Sequence, residues 1–266
     1  MSVALNPNLP PSIKIKQSGR TALISLSRPE KRNALNDETV LGLEMAFSSL
    51  REDIRAVVVH GEGDHFSAGL DLSELTERDV AGGIAHSRMW HRMLDAVQYG
   101  RTPVLSVLHG AVIGGGLELA CATHIRIAER SAFYALPEGQ RGIFVGGGAS
   151  VRLPRLIGVA RMTDMMLSGR SYSAEEGVGL GFSQYLAEPG QGLTKALEIA
   201  EHVAGNAELT NFAVIQALPR IADADPAAGF MMEALMSAIA QGSLEAKARL
   251  NDFLEKRAAK VSHAQD

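Results

Sequence analysis

Apolar and polar positions change their spacing repeatedly along the first two hundred residues. "TALISLSRP" (21–29) is an apolar run ended by proline and predicts a strand. Apolar residues at Val40, Leu43, Ala46, Phe47 and Leu50 predict a helix over 37–53, with Asp37 as its cap. "AVVVHGEG" (56–63) predicts a buried strand that enters a glycine turn. A helix is predicted over 81–100, with Ile84, Met89, Met93, Leu94 and Val97 recurring on one side. A strand at 103–110, a short helix at 114–123, and short strands at 124–129 and 132–136 follow. Short helices at 149–158 and 161–169 precede a clear helix at 194–206 that ends at glycine.

Past Asn206 the pattern turns wholly helical. Three helical runs, at 209–223, 226–242 and 244–260, carry no strand signal. Met231, Met232, Leu235, Met236 and Ile239 follow a helical period and predict a buried or packed face, either closing the core or docking on another subunit. The chain therefore divides into 1–205, where strand and helix alternate, and a helical 206–266. Alternation predicts an α/β layer architecture.

A chain of 266 residues suffices for one large domain with an appendage. Hydrophobic residues at 46% and charged residues at 21% suit a soluble globular protein. A net charge of −4 with no basic block argues against nucleic acid as a partner. The single cysteine, Cys121, excludes an internal disulfide. The opening stretch lacks an apolar signal-peptide core, and no apolar run has the length of a membrane span. A cytoplasmic protein with no membrane partner is expected. The eight histidines show no metal-ligand spacing, so no metal is expected.

The chemistry concentrates at "HGAVIGGGLELA" (109–120). As a dinucleotide cradle, Gly114 and Gly116 fit a G-x-G-x-x-G pattern, but Leu119 stands where glycine or alanine is needed. Glu138 has the spacing of a ribose-binding acid, but Pro137 breaks the strand end before it. As an oxyanion hole, glycines at a helix start free backbone N–H groups to face a ligand, and the helix dipole adds positive potential. A second donor is then needed, and the glycine turn "GEGDHFSAGLDL" (61–72) is placed to give it. Asp71 in that turn reads first as a helix N-cap.

"SRPEKRNALN", "FSAGLDLSEL", "PVLSVLHGAVIGGGLELACATHIRIA" and "FYALPEGQRGIFVGGGASVRLPRLIG", in this order, resemble the crotonase (enoyl-CoA hydratase/isomerase) family over about 27–190. The resemblance implies a crotonase-like spiral of repeated ββα units with a C-terminal all-helical trimerisation segment. It implies homotrimers, or hexamers built as dimers of trimers. The substrates it implies are acyl-CoA thioesters, with no metal or redox cofactor. By matching motifs, Ala68 and Gly115 take the positions of the oxyanion-hole amides, and Glu118 and Glu138 those of the catalytic acids. Lys31, Arg32 and Ala34, with Ala68, Gly69, Leu70, Asp71 and Gly115, match segments that contact the CoA thioester.

Hydration of a 2-enoyl thioester places negative charge on the thioester oxygen, which two fixed amides stabilise. Two carboxyls on one face of the alkene supply the base for water and the acid for the α-carbon. Glu118 is expected to deprotonate the water and Glu138 to deliver the proton, with a shared or reversed assignment left open. Val145 stands where many hydratases have proline and Leu136 where glutamine is frequent, so the acyl pocket is expected to differ near both. An enoyl-CoA isomerase, a carbon–carbon lyase, a thioester hydrolase and a non-catalytic acyl-CoA- or RNA-binding relative stay as alternatives. A dinucleotide-dependent oxidoreductase is the outsider.

Overall fold

In the computed structural model, which describes residues 8–74 and 78–255, the chain forms two compact units. One runs to Ala204 and the other begins at Gly205. In the first unit β1 (Ile13–Ser18) and β2 (Thr21–Leu26) pair antiparallel. α1 (Asp37–Ser48) leads to β3 (Ala56–Gly61), which lies parallel to β2. The chain then touches a second sheet through a bridge from Ser67 to Val112 and enters α2 (Val80–Gln98). β4 (Val104–Leu108) joins the long sheet, β5 (Ala111–Ile113) the short one, and α3 (Gly115–Ala122) follows.

β6 (Ile125–Glu129) and β7 (Phe133–Ala135) repeat this division between the two sheets before α4 (Ala149–Ile157). Three successive coils thus give one strand to the long sheet, one short segment to the second sheet, and a helix. This is the ββα spiral that the resemblance implies. α5 (Val159–Ser168), β8 (Tyr172–Ser173), α6 (Ala174–Gly179), β9 (Tyr185–Ala187) and α7 (Gly192–Gly205) complete the run.

Both faces of the long sheet are covered. Val57 and Val59 face a core with Leu43, Phe47 and Leu94. Ala56 and Val58 face a second core with Leu105, Val107 and Ile127, closed by Ala196, Ala200 and Ala204 of α7. A parallel strand buried on both faces reads as an unbroken apolar run, which is why 56–61 was legible. Alanines four apart share one helix face.

Several local expectations are corrected. Asn36, not Asp37, caps α1: its Oδ1 accepts the Thr39 N–H at 2.9 Å. Asp37 is the first helical residue and binds His86 and Arg78. Ile84 is 61% exposed, because it lies roughly 120° around α2 from Trp90, which is buried with Met93, Leu94 and Val97. β5, β8 and β9 have only two or three residues and leave too little sequence for a period to show. The helix that Asp71 is expected to cap is a 3-10 turn over Leu72–Glu74, and residues 75–77 are outside those described.

The second unit is helical. The single run predicted over 209–223 divides into α8 (Glu208–Phe212), a π-turn (Ala213–Ala217) and α9 (Leu218–Asp223). α9 carries Pro219 in its first turn, where its missing N–H costs nothing. α10 (Pro226–Gly242) and α11 (Leu244–Leu254) follow, and the predicted continuation over 256–260 lies outside the described residues. The face expected to be packed on α10 is exposed: Met231 is 63% and Leu235 57% exposed. No helix among the described residues is long and apolar enough to cross a membrane.

Candidate active site

The first wall is the turn after β3. Ser67 N–H donates to the Ala111 carbonyl, and Ile113 N–H returns to the Ser67 carbonyl, which docks the turn on β5. Its amides are nearly all used. Ala68 N–H donates to the Arg32 carbonyl at 2.9 Å, Gly69 N–H to Ser67 Oγ at 3.1 Å, and Asp71 N–H to the Leu35 carbonyl at 3.0 Å. Leu70 N–H is left without an acceptor among the described residues. The expectation of a free Ala68 amide is therefore corrected: the strand-like bridge between Leu35 and Leu70 turns the Leu70 amide outward instead. Gly69 has φ +89°, and a Cβ there would lie 2.5 Å from the Ile113 carbonyl and 3.1 Å from Gly115 N.

The second wall is the start of α3. Gly114, at φ 51°, turns the chain from β5 into the helix and donates its N–H to the Ala135 carbonyl. Gly115 is the first helical residue, so its N–H has no intrahelical acceptor. A Cβ at Gly115 would lie 3.4 Å from Leu70 N. The Leu70 and Gly115 amides border the same space.

Glu118 projects from the first turn of α3 and is buried. Its Oε1 accepts the Gly147 N–H at 2.8 Å and the Ala149 N–H at 3.0 Å. Burial pushes its carboxyl up to about 7; the two N–H donors oppose this, Glu138 adds to it, and Arg152 works against it. Glu138 follows β7 on the next coil and is also buried. Its Oε2 has no partner among the described residues, and burial raises its carboxyl above the ordinary range. A Cβ at Gly114 would lie 2.6 Å from Glu138 Oε1. Glu138 thus borders the Gly114 turn, near enough to Glu118 to act on its charge.

The remaining predicted residues form the approach. Lys31 and Arg32 are exposed, Ala34 is half-buried, and the 31–35 segment runs beside 68–71 through the Arg32–Ala68 and Leu35–Gly69 backbone bonds. Asp71 holds this turn. Its Oδ1 accepts Ser73 N–H and Oγ–H, and its Oδ2 accepts Arg28 Nη2 at 2.9 Å. The Ser73 hydroxyl, then Arg28, keep its carboxyl below the usual range against the cost of burial. Leu136 and Val145, both expected near the acyl pocket, are buried in the main core.

Four supporting residues escaped the sequence reading. Arg28 also donates from Nη1 to the Ala34 carbonyl. Asn33, buried at φ 52°, donates to the Glu62 and His65 carbonyls and accepts the Arg28 N–H. Arg152 donates to the Gly147 carbonyl at 3.0 Å and to Asp95 and Gln98 on α2. Trp90 packs against Gly115 at the start of α3 and against Gly147 in the second glycine run, 146–148. Signals existed for two of them: an asparagine in a turn tolerates the left-handed region, and Arg152 stands in the first turn after the second glycine run. Among the described residues no three His, Cys, Asp or Glu side chains cluster as a metal site.

Two glycine-walled loops, two free amides and a pair of buried acids on a ββα spiral define an acyl-thioester type of site. The chain belongs to the enoyl-CoA hydratase/isomerase family, whose sequence model matches residues 16–263. It is 34% identical to a Thermus thermophilus protein assigned as an enoyl-CoA hydratase, over 91% of this chain and 97% of the relative. It is 28% identical to the short-chain-enoyl-CoA hydratase of Clostridium acetobutylicum, over 92% and 95%. Among solved structures, a candidate enoyl-CoA hydratase from Rhodopseudomonas palustris CGA009 is 61% identical, with a TM-score of 0.91 over 94% of this chain and 97% of that one.

Proposed function

We propose that the protein is an enoyl-CoA hydratase that adds water across the 2,3 double bond of an acyl-CoA thioester. The observation that carries this reading is a pair of buried, electrostatically interacting carboxyls, with Glu138 against Gly114, next to the step where the Leu70 and Gly115 amides border one space. The thioester oxygen accepts from those two amides. Removing one such donor costs roughly 3–4 kcal/mol of barrier in comparable sites. Glu118, fixed through Oε1, offers Oε2 to a water and takes its proton as the water oxygen bonds C3. The π pair moves onto C2 and the thioester oxygen. Glu138 gives its proton to C2, and solvent exchange restores both carboxyls. Backbone N–H donors favour the ionised form at Glu118, whereas Glu138 Oε2 has none; this supports Glu118 as base and Glu138 as acid.

In this scheme CoA lies along 31–34 and 68–71, and no metal or redox cofactor takes part. The exposed apolar face of α10 supports association with further copies as a trimer or a dimer of trimers, since single chains rarely leave such a face bare. The reading is tested by mixing purified protein with crotonyl-CoA and following loss of enoyl-thioester absorbance. Hydration that disappears in Glu118→Gln and in Glu138→Gln supports it. Absence of hydration, with conversion of a 3-enoyl-CoA to the 2-enoyl form, replaces it by an isomerase.

A further inference from the structure

Trp90, on the buried face of α2, meets the site at two points. A Cβ at Gly115 would lie 2.6 Å from Trp90 Cη2 and 2.9 Å from Cζ3. A Cβ at Gly147 would lie 3.1 Å from Trp90 Cε3 and 2.7 Å from Glu118 Oε2. One edge of the six-membered ring therefore spans from the amide of Gly115 to the loop whose amide holds Glu118. The opposite edge carries Nε1, which is buried without a partner among the described residues. The ring is held by shape, and by the edge-on His86 ring at 6.4 Å, rather than by a hydrogen bond of its own. A buried donor left unpaired is unfavourable. Retaining an indole here at that cost fits a requirement for its width.

We propose that Trp90 is a positioning residue for hydration: its benzenoid edge is a wedge that sets the spacing between the Gly115 amide and the Gly146–Gly148 loop, whose Gly147 N–H holds the Glu118 carboxyl. The proposal rests on the hydratase reading for its kinetic consequence but not for its structural one. Both glycines lack the atom that would push the ring away, so the contact is direct on each side. The same edge borders the space beside Glu118 Oε2, and an aromatic wall of this kind disfavours a carboxylate. The other groups that act on Glu118 are Glu138, Arg152 and the Gly147 and Ala149 amides. Cys121, on the same helix, is a buried thiol. Behind Trp90 stands His86, bound to Asp37, which also meets Arg78.

The test compares wild type, Trp90→Phe, Trp90→Ala and Trp90→Leu. Infrared difference spectra against Glu118→Gln report protonation of Glu118 directly, and crotonyl-CoA hydration gives kcat and KM. With the wedge removed in Trp90→Ala, kcat falls about tenfold to a hundredfold, with KM changed by less than about threefold. The Glu118 carboxyl band then titrates about one pH unit lower. Trp90→Phe, which keeps an aromatic ring but not the width of the indole, recovers only part of both. If Trp90→Ala does not fold, Trp90→Leu is read in its place. A folded variant with unchanged kcat and an unmoved Glu118 band overturns the proposal, as does a change confined to KM. If wild type hydrates no enoyl-CoA but the band still moves, the functional reading fails and the wedge stands.

Discussion

Gly114 and Glu138 share a boundary: the α-carbon of one faces the carboxyl of the other so closely that a Cβ would stand 2.6 Å from Oε1. Gly114 also has φ 51°, where a side chain is strained whatever the space. Gly114→Ala should therefore displace Glu138 and tilt the start of α3 together. Hydration is expected to fall by about a hundredfold or more with the fold retained. Steady-state kinetics beside circular dichroism check this, and full activity would show that the acid does not work from this position.

Glu118→Gln should separate activity from stability. The folded carboxyl titrates at about 7 against an ordinary value of 4.5, so between these pH values the folded state binds more protons than the unfolded state. Stability of the wild type accordingly declines as pH rises through that window. The variant lacks this loss and should gain on the wild type by up to about 3 kcal/mol above pH 7, with little difference near pH 4.5. Urea unfolding at the two ends of the window measures the gap, and a gap independent of pH would contradict the burial argument.

The same carboxyl governs the rate. Hydration needs Glu118 ionised, so kcat/KM should drop on the acid side with a midpoint at about 7. The Glu118→Gln background should lose that limb altogether. A profile flat from pH 5 to pH 8 in wild type would remove Glu118 from the role of base.

Arg28 and Asp71 form an ion pair that is largely withdrawn from water. Arg28→Met leaves a buried carboxylate without its cation and should cost about 1–3 kcal/mol. It should also loosen the Leu70 turn and weaken turnover. Adding Asp71→Asn should restore most of the stability, because neither charge is then stranded. Chemical denaturation of the two variants decides whether this coupling exists.

On α10, Met231, Leu235 and Ile239 are all exposed within a single chain. Leu235→Asp with Ile239→Asp should convert a multimer into smaller species in analytical ultracentrifugation. A wild type that sediments as a monomer would leave this face without its assigned purpose.

The sequence disclosed most where one residue type answers to one physical need. The glycine run before Glu118 showed a helix start stripped for close approach, and the alternation over 21–200 showed layered α/β packing. β1 is legible too, since Ile13 and Ile15 are buried and alternate with exposed Lys14 and Lys16. What stayed hidden was pairwise. Nothing local indicates that Arg32 would take the Ala68 amide and leave that of Leu70, because the two segments are brought together only by the spiral. Trp90 and Arg152 likewise gain their meaning from α2 lying against the second glycine run.

The parallel register of β5 and β7 sets Ile113 beside Ala135, so Gly114 and Leu136 leave neighbouring coils at matching heights. Glu118 and Glu138 are thereby hung from adjacent rungs of one ladder, whose pitch is a property of the peptide backbone. That pitch is indifferent to which side chains neighbouring segments place beside it. On such a scaffold the surroundings can be exchanged while the separation of the two carboxyls stays fixed by the main chain.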